Sequence, residues 1–170
     1  MIELINGKGQ LGEQLSKIIN SKSMFTVIIH HTWNFIDKSE ETQKKCFNDF
    51  QEFVNKNSTK RVAFISTYTT NWTPYLKYKL KAELYLLKNV MFSKVYRLPN
   101  LIGKGVCEGF KNKELNPDFN GEIEIMSPYQ AAIEIIKDLG KLDWSKKIIR
   151  IRGTVTTPQT VYDLIRFGND

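Results

Sequence analysis

MIELINGKGQLGEQL, residues 1–15, is the stretch on which the fold turns. Met1 to Ile5 is apolar and alternates loosely, so it reads as a strand. Gly7, Gly9 and Gly12 follow at the spacing G-x-G-x-x-G. Leu11, Leu15, Ile18 and Ile19 then recur at helical spacing, which predicts a helix to about Asn20. A strand, a glycine turn and a helix in this order have a physical use. The first glycine permits a tight turn, the second lets backbone approach a pyrophosphate, and the third lets helix pack on strand. The start of the helix offers free N–H groups and the positive end of its dipole to an anion. Gly7, Gly9, Gln10, Leu11 and Gly12 are therefore the candidate phosphate-binding residues. The competing reading is a glycine-rich turn that binds nothing.

Further along, the pattern repeats as strand then helix. FTVIIHHTWNF (Phe25–Phe35) is β-branched and aromatic, a buried strand and its outgoing loop. Ser39 with Glu40 and Glu41 starts a helix whose apolar face is Cys46, Phe47, Phe50, Phe53 and Val54. RVAFIST (61–67) is a short apolar strand. Thr73 and Pro74 form an N-cap and first helical position, and the helix to about Asn89 is expected to bury Leu76, Leu80, Leu84 and Leu87. KVYRLPNLIG gives a strand leaving through Pro99, and residues 108–121 form a long loop. EIEIMS (122–127) reads as a half-buried strand. Ser127 and Pro128 open a helix with Ala131, Ala132, Ile135, Ile136 and Leu139 inward, KKIIRIRG is a late strand, and Thr157 and Pro158 open a last helix ending at Gly168. This order predicts one α/β domain over residues 1–170, with a mostly parallel sheet and right-handed crossovers placing helices on both faces.

Composition narrows the class. A chain of 170 residues, 41% hydrophobic and 25% charged, is a globular protein. No apolar run nears the roughly 20 residues of a membrane span, and no signal peptide is read, so no membrane partner and a cytoplasmic setting are expected. Cys46 and Cys107 lack metal-ligand spacing, and adjacent His30 and His31 on a strand point to opposite faces, so no metal site is expected. The net charge of +7 favours anionic partners, but the lysines are scattered and no basic run marks nucleic-acid binding.

YLKYKLKAE (75–83) sets Tyr75, Lys79 and Glu83 four apart on one helical face. An ammonium one turn from a phenol is expected to lower the phenol's pKa, so that it trades a proton with a substrate hydroxyl. Ser66 or Thr67, at the preceding strand end, is placed to hold the same oxygen. Taken alone, such a helix also reads as an amphipathic surface helix with solvated lysines. Tyr68, Trp72, Tyr75 and Tyr78 suit stacking on a base or sugar, or packing across a helix end.

INGKGQLGEQL, VIIHHTWNF, RVAFIST, YLKYKLKAE and VYRLPNLIGKG, in this order, resemble the extended short-chain dehydrogenase/reductase family, and the opening is similar to dTDP-4-dehydrorhamnose reductases. EIEIMSPYQAAIEIIKDL and KKIIRIRGTVTTPQTVYDLIRFG resemble the family's later segments, so the likeness covers nearly the whole chain. It implies a Rossmann-like fold, NAD or NADP as cofactor and a nucleotide sugar as partner. It places the catalytic residues at Thr67, Tyr75 and Lys79, with Lys79 also on the nicotinamide ribose, and the substrate contacts at Ser66, Arg97 and Asn100. The chain is shorter than family members. VIIHHTWNF matches the family's fourth strand, with the second and third missing, or alternatively is the second strand with later ones lost. The acid that holds the adenosine ribose has no clear counterpart, Asp37 being the nearest, and Thr67 to Tyr75 is a shortened connection. Two functions are therefore carried forward. One is an NAD(P)-dependent nucleotide-sugar epimerase or reductase of surface polysaccharide synthesis. The other is a non-catalytic Rossmann-like binding or regulatory module that has lost the dinucleotide site, pairing with a second copy through the Tyr75 helix.

Overall fold

The computed structural model describes residues 2–5, 9–19, 26–69, 72–102 and 121–167. Gly7, the predicted loop up to residue 120 and the helix stop at Gly168 lie outside them. Five strands form one parallel sheet: β1 (Ile2–Ile5), β2 (Val27–His30), β3 (Arg61–Thr67), β4 (Ser93–Leu98) and β7 (Lys147–Arg150), side by side in that order. The helices between them are α1 (Gln10–Ile18), α2 (Glu40–Lys56), α3 (Pro74–Asn89) and α4 (Pro128–Leu139); α5 (Pro158–Phe167) follows the sheet. Strand β2 is buried along its whole length and β3 nearly so, as parallel strands covered on both faces must be.

The hydroxyl–proline signals act as helix starts. Thr73 Oγ1 accepts from Leu76 N–H, Ser127 Oγ from Gln130 N–H and Thr157 Oγ1 from Thr160 N–H. Ser39 Oγ likewise accepts from Thr42 N–H at the start of α2.

Two apolar layers enclose the sheet. Leu11 and Leu15 of α1 and Ala131, Ala132, Ile135 and Leu139 of α4 pack with Val27, Ile29, Ala63, Ile65 and Tyr96 on one face. Phe50 and Val54 of α2 and Tyr78, Ala82 and Leu86 of α3 pack with Val62, Phe64 and Val95 on the other. Helices thus lie on both faces, but not by the expected route. The steps β1 to β2 and β2 to β3 go the same way across the sheet, yet α1 and α2 lie on opposite faces. Their crossovers therefore have opposite hands, whereas uniformly right-handed ones would have put both helices on one face.

The position of β2 separates the two alignments. In the dinucleotide fold the fourth strand, not the second, lies between the first strand and the later ones. Here β2 lies between β1 and β3. After Pro99 the chain builds a second sheet of β5 (Asn100–Leu101), β6 (Ile123–Met126) and β8 (Thr154–Thr156), with β6 parallel to β5 and antiparallel to β8. Gly153 is required there, because any Cβ would collide with the Ile125 carbonyl.

Candidate functional site

A parallel sheet sends every strand's carboxyl end to one side, and the candidate residues collect there. Strand β1 leads into α1, β2 into the 31–39 connection and β3 into α3. The start of α1 and the first turn of α3 are thus two strand spacings apart, about 10 Å across the sheet.

At α1, Gly9 has extended backbone and its carbonyl accepts from Glu13 N–H at 2.9 Å. A Cβ on Gly9 would meet nothing within 4 Å, so the approach from solvent is open. Leu11 and Gly12 are buried, and Leu11 belongs to the core. What Leu11 offers an anion is its backbone N–H rather than its side chain. Gln10 Oε1 and, at the end of β2, His31 Nε2 are buried atoms with no hydrogen-bond partner among the described residues. The open backbone N–H groups fit an anion at this end, whereas Gln10 Oε1 is an acceptor and calls for a donor such as a hydroxyl, and Glu13 in the first turn sets an acid beside it. Asp37 is engaged locally. Its carboxylate accepts from Ser39 N–H and Thr42 Oγ1 and so fastens the start of α2.

The two histidines divide as alternation requires. His30 lies among Phe50, Phe53 and Phe64, at ring separations of 4.7–5.9 Å. Burial, helped by nearby Lys79, pushes its pKa down to about 3, so it is neutral. His31 is half-buried and shifted down for the same two reasons.

On α3 the inward face is not the expected leucine stripe. Leu84 is 68% exposed, whereas Lys79 and Glu83 are buried with Leu76, Tyr78, Ala82 and Leu86. The Tyr75–Lys79–Glu83 stripe lies roughly 100° around the helix from the leucines, and hydrogen bonds hold it inward. Glu83 accepts from Ser66 Oγ at 2.5 Å, from Arg97 Nε at 3.0 Å and from the terminal Arg97 nitrogen at 2.5 Å. Lys79 Nζ donates to the Ile65 carbonyl at 2.7 Å and stands over the rings of Phe64, Trp33 and Tyr75 at 4.6, 4.9 and 5.8 Å. The sequence signal for this network was the four-residue spacing of Tyr75, Lys79 and Glu83. Spacing alone gives Glu83 no site role.

The electrostatics run opposite to the expected activation. Tyr75 is half-buried, and burial pushes its pKa up to about 12. Lys79 meets the face of the Tyr75 ring, and burial pushes the lysine down to about 7 despite the Glu83 carboxylate. Desolvation is the cause that raises the phenol. Of the remaining candidates, Thr67 is half-buried at the end of β3, where its Oγ1 accepts from Thr69 N–H. Ser66 and Arg97 are engaged by Glu83. Asn100 is exposed in the small sheet, with Nδ2 donating to the Glu124 carbonyl at 3.3 Å. Tyr78 is core, Trp72 is exposed, and Tyr68 lies beneath the Arg150 guanidinium at 3.9 Å. Among the described residues no group of three or more His, Cys, Asp or Glu is placed to hold a metal ion.

No protein-family model matches the sequence, and no curated protein is similar to it at the sequence level. Solved structures are similar in fold. A dTDP-4-dehydrorhamnose reductase of Clostridium acetobutylicum aligns with a TM-score of 0.76 at 13% identity, over 99% of this chain and 80% of that one. The dTDP-4-dehydrorhamnose reductase of Bacillus anthracis, solved with NADP, aligns with a TM-score of 0.77 at 11% identity over the same shares. The Bordetella bronchiseptica enzyme WbmG, solved with NAD, aligns with a TM-score of 0.65 at 14% identity, over 96% of this chain and 76% of that one. The chain has a Rossmann-like fold similar to that of these solved enzymes.

Proposed function

We propose that the chain, as one Rossmann-like domain, binds NAD or NADP and acts on a nucleotide sugar as a reductase or epimerase. We place it in the cytoplasm, in the synthesis of a surface polysaccharide. The observation that carries this reading is the placement of the α1 start and the Tyr75 turn at the same end of the sheet, two strands apart. Similarity of fold to enzymes solved with NAD and NADP supports it. The backbone N–H groups of Gly9 to Gly12 would hold the phosphates, and the unsatisfied Gln10 Oε1 would accept from a hydroxyl of the same ligand. The dinucleotide, when bound, supplies the hydride. Tyr75, with its pKa raised to about 12, keeps its proton at neutral pH. In that form it can act only as a donor, to an alkoxide more basic than itself, which is the direction of carbonyl reduction. Thr67 would hold the same oxygen.

One observation favours the second reading, a non-catalytic module pairing through α3. Ser66, Lys79 and Arg97 are all engaged in internal bonds, and Leu84 faces outward on α3. The two readings part on a melting experiment. For the enzyme, NADH or NADPH at about a hundredfold excess over Kd raises Tm by about 5–10 °C. Tyr75→Phe keeps that rise and abolishes turnover of a nucleotide sugar. An unchanged Tm with both dinucleotides refutes the proposal.

A further inference from the structure

The lysines are scattered in sequence but not in space. At the amino ends of the strands, residues 56–61, 88–94 and 138–147 hold eight Lys or Arg against two Asp. At the opposite end, the connections 31–39 and 67–73 hold only Lys38 and Asp37. These three segments thus carry a net charge of +6, eight cations less two acids.

Three features describe this basic end. Lys94 and Lys141 pair with Asp138, and Lys147 with Asp143. Lys60, Lys88 and Lys146 are exposed and have no acidic partner among the described residues. Between these cations stand apolar tips: Met91 is 68% exposed, Phe92 42% and Leu142 80%. The tips belong to one surface. The Arg61 guanidinium lies 5.9 Å from the Phe92 ring and 5.5 Å from the Trp144 ring, joining the α3–β4 and α4–β7 connections across the start of β3.

We infer that this end is a docking surface for an anionic lipid bilayer. Lysines attract the negative headgroups, and apolar tips among them enter the boundary between headgroup and acyl chain. A nucleic-acid backbone would use the lysines but has no use for Met91 and Leu142. The contact is superficial, since among the described residues no helix is long and apolar enough to cross a membrane. It is independent of any activity at the opposite end of the sheet.

The test is sedimentation of the whole chain with vesicles of equal parts phosphatidylcholine and phosphatidylglycerol, against vesicles of phosphatidylcholine alone. The chain should pellet with the first and not the second, and high salt should release it. Lys60→Gln and Lys146→Gln should each weaken binding about fivefold. Met91→Ser combined with Leu142→Ser should weaken it on the order of tenfold or more. Both tips are largely exposed, so an unchanged melting curve will show the fold intact. Equal pelleting with the two vesicle types overturns the inference, as does a serine pair that binds like the parent. So does duplex DNA that strips the chain from vesicles and binds parent and serine variant alike, which would mark a nucleic-acid face.

Discussion

Arg97 and Glu83 should be unequal partners. The Glu83 side chain is 2% exposed and takes bonds from Ser66 and from two nitrogens of Arg97, whose own side chain is 31% exposed. Arg97→Met leaves a buried carboxylate with one hydroxyl bond and only the neighbouring Lys79 as a cation, a loss of about 3–5 kcal/mol at neutral pH. Glu83→Leu leaves a guanidinium that already reaches water and can swing outward. Its cost is smaller, about 1–2 kcal/mol, mainly the stranded Ser66 hydroxyl and the lost packing around Arg97. The double variant removes both charges together, and apolar replacement of an ion pair is often close to neutral. It should therefore be more stable than Arg97→Met alone, giving a coupling energy of about 2 kcal/mol or more. Urea denaturation of the four proteins at pH 7 measures all of this, provided m stays constant so that midpoints report stability. Equal losses in the two single variants, or strict additivity in the double, would show that the pair does not fasten α3 to β3 and β4.

Two further outcomes follow from named contacts. His30, with a folded pKa near 3 against an ordinary 6.5, contributes stability that is complete above pH 6.5 and lost as pH falls toward 3. The loss is about 1.4 kcal/mol per pH unit within that window, so His30→Phe should flatten the curve between pH 6.5 and 4; thermal melts that fall in parallel for both proteins would contradict this. Gly153→Ala should cost about 1–3 kcal/mol, because the new methyl meets the Ile125 carbonyl and Pro99; an unchanged denaturation midpoint would show that the small sheet yields there.

Much of the architecture was legible because single residues carried unambiguous physics. Thr73–Pro74, Ser127–Pro128 and Thr157–Pro158 each name a helix start, and the apolar runs of β2 to β4 name buried strands. The orientation of α3 was not legible. Leu76, Leu80, Leu84 and Leu87 form the more apolar stripe by composition. Yet Glu83 finds Arg97 and Ser66, Lys79 finds the Ile65 carbonyl, and these bonds turn the polar stripe inward. Partners distant in sequence decided that face. The candidate site was legible as a set of residues but not as an electrostatic state. Four-residue spacing puts Lys79 beside Tyr75, but only the surrounding rings of Trp33 and Phe64 show that desolvation governs both groups. The hand of the β1–α1–β2 crossover was also invisible, since it depends on which side of β1 the next strand lies.

That pair of opposite hands shapes the order in which the molecule can close. Helix α1 packs chiefly on α4, whose first residue lies more than a hundred positions later. Helices α2 and α3 are successive and cover their side of the sheet together. During synthesis the α2–α3 side can consolidate early, while the greasy flank of α1 waits uncovered until the last third of the polypeptide has emerged. Nascent chains stopped before residue 128 should therefore be the ones that chaperones hold longest.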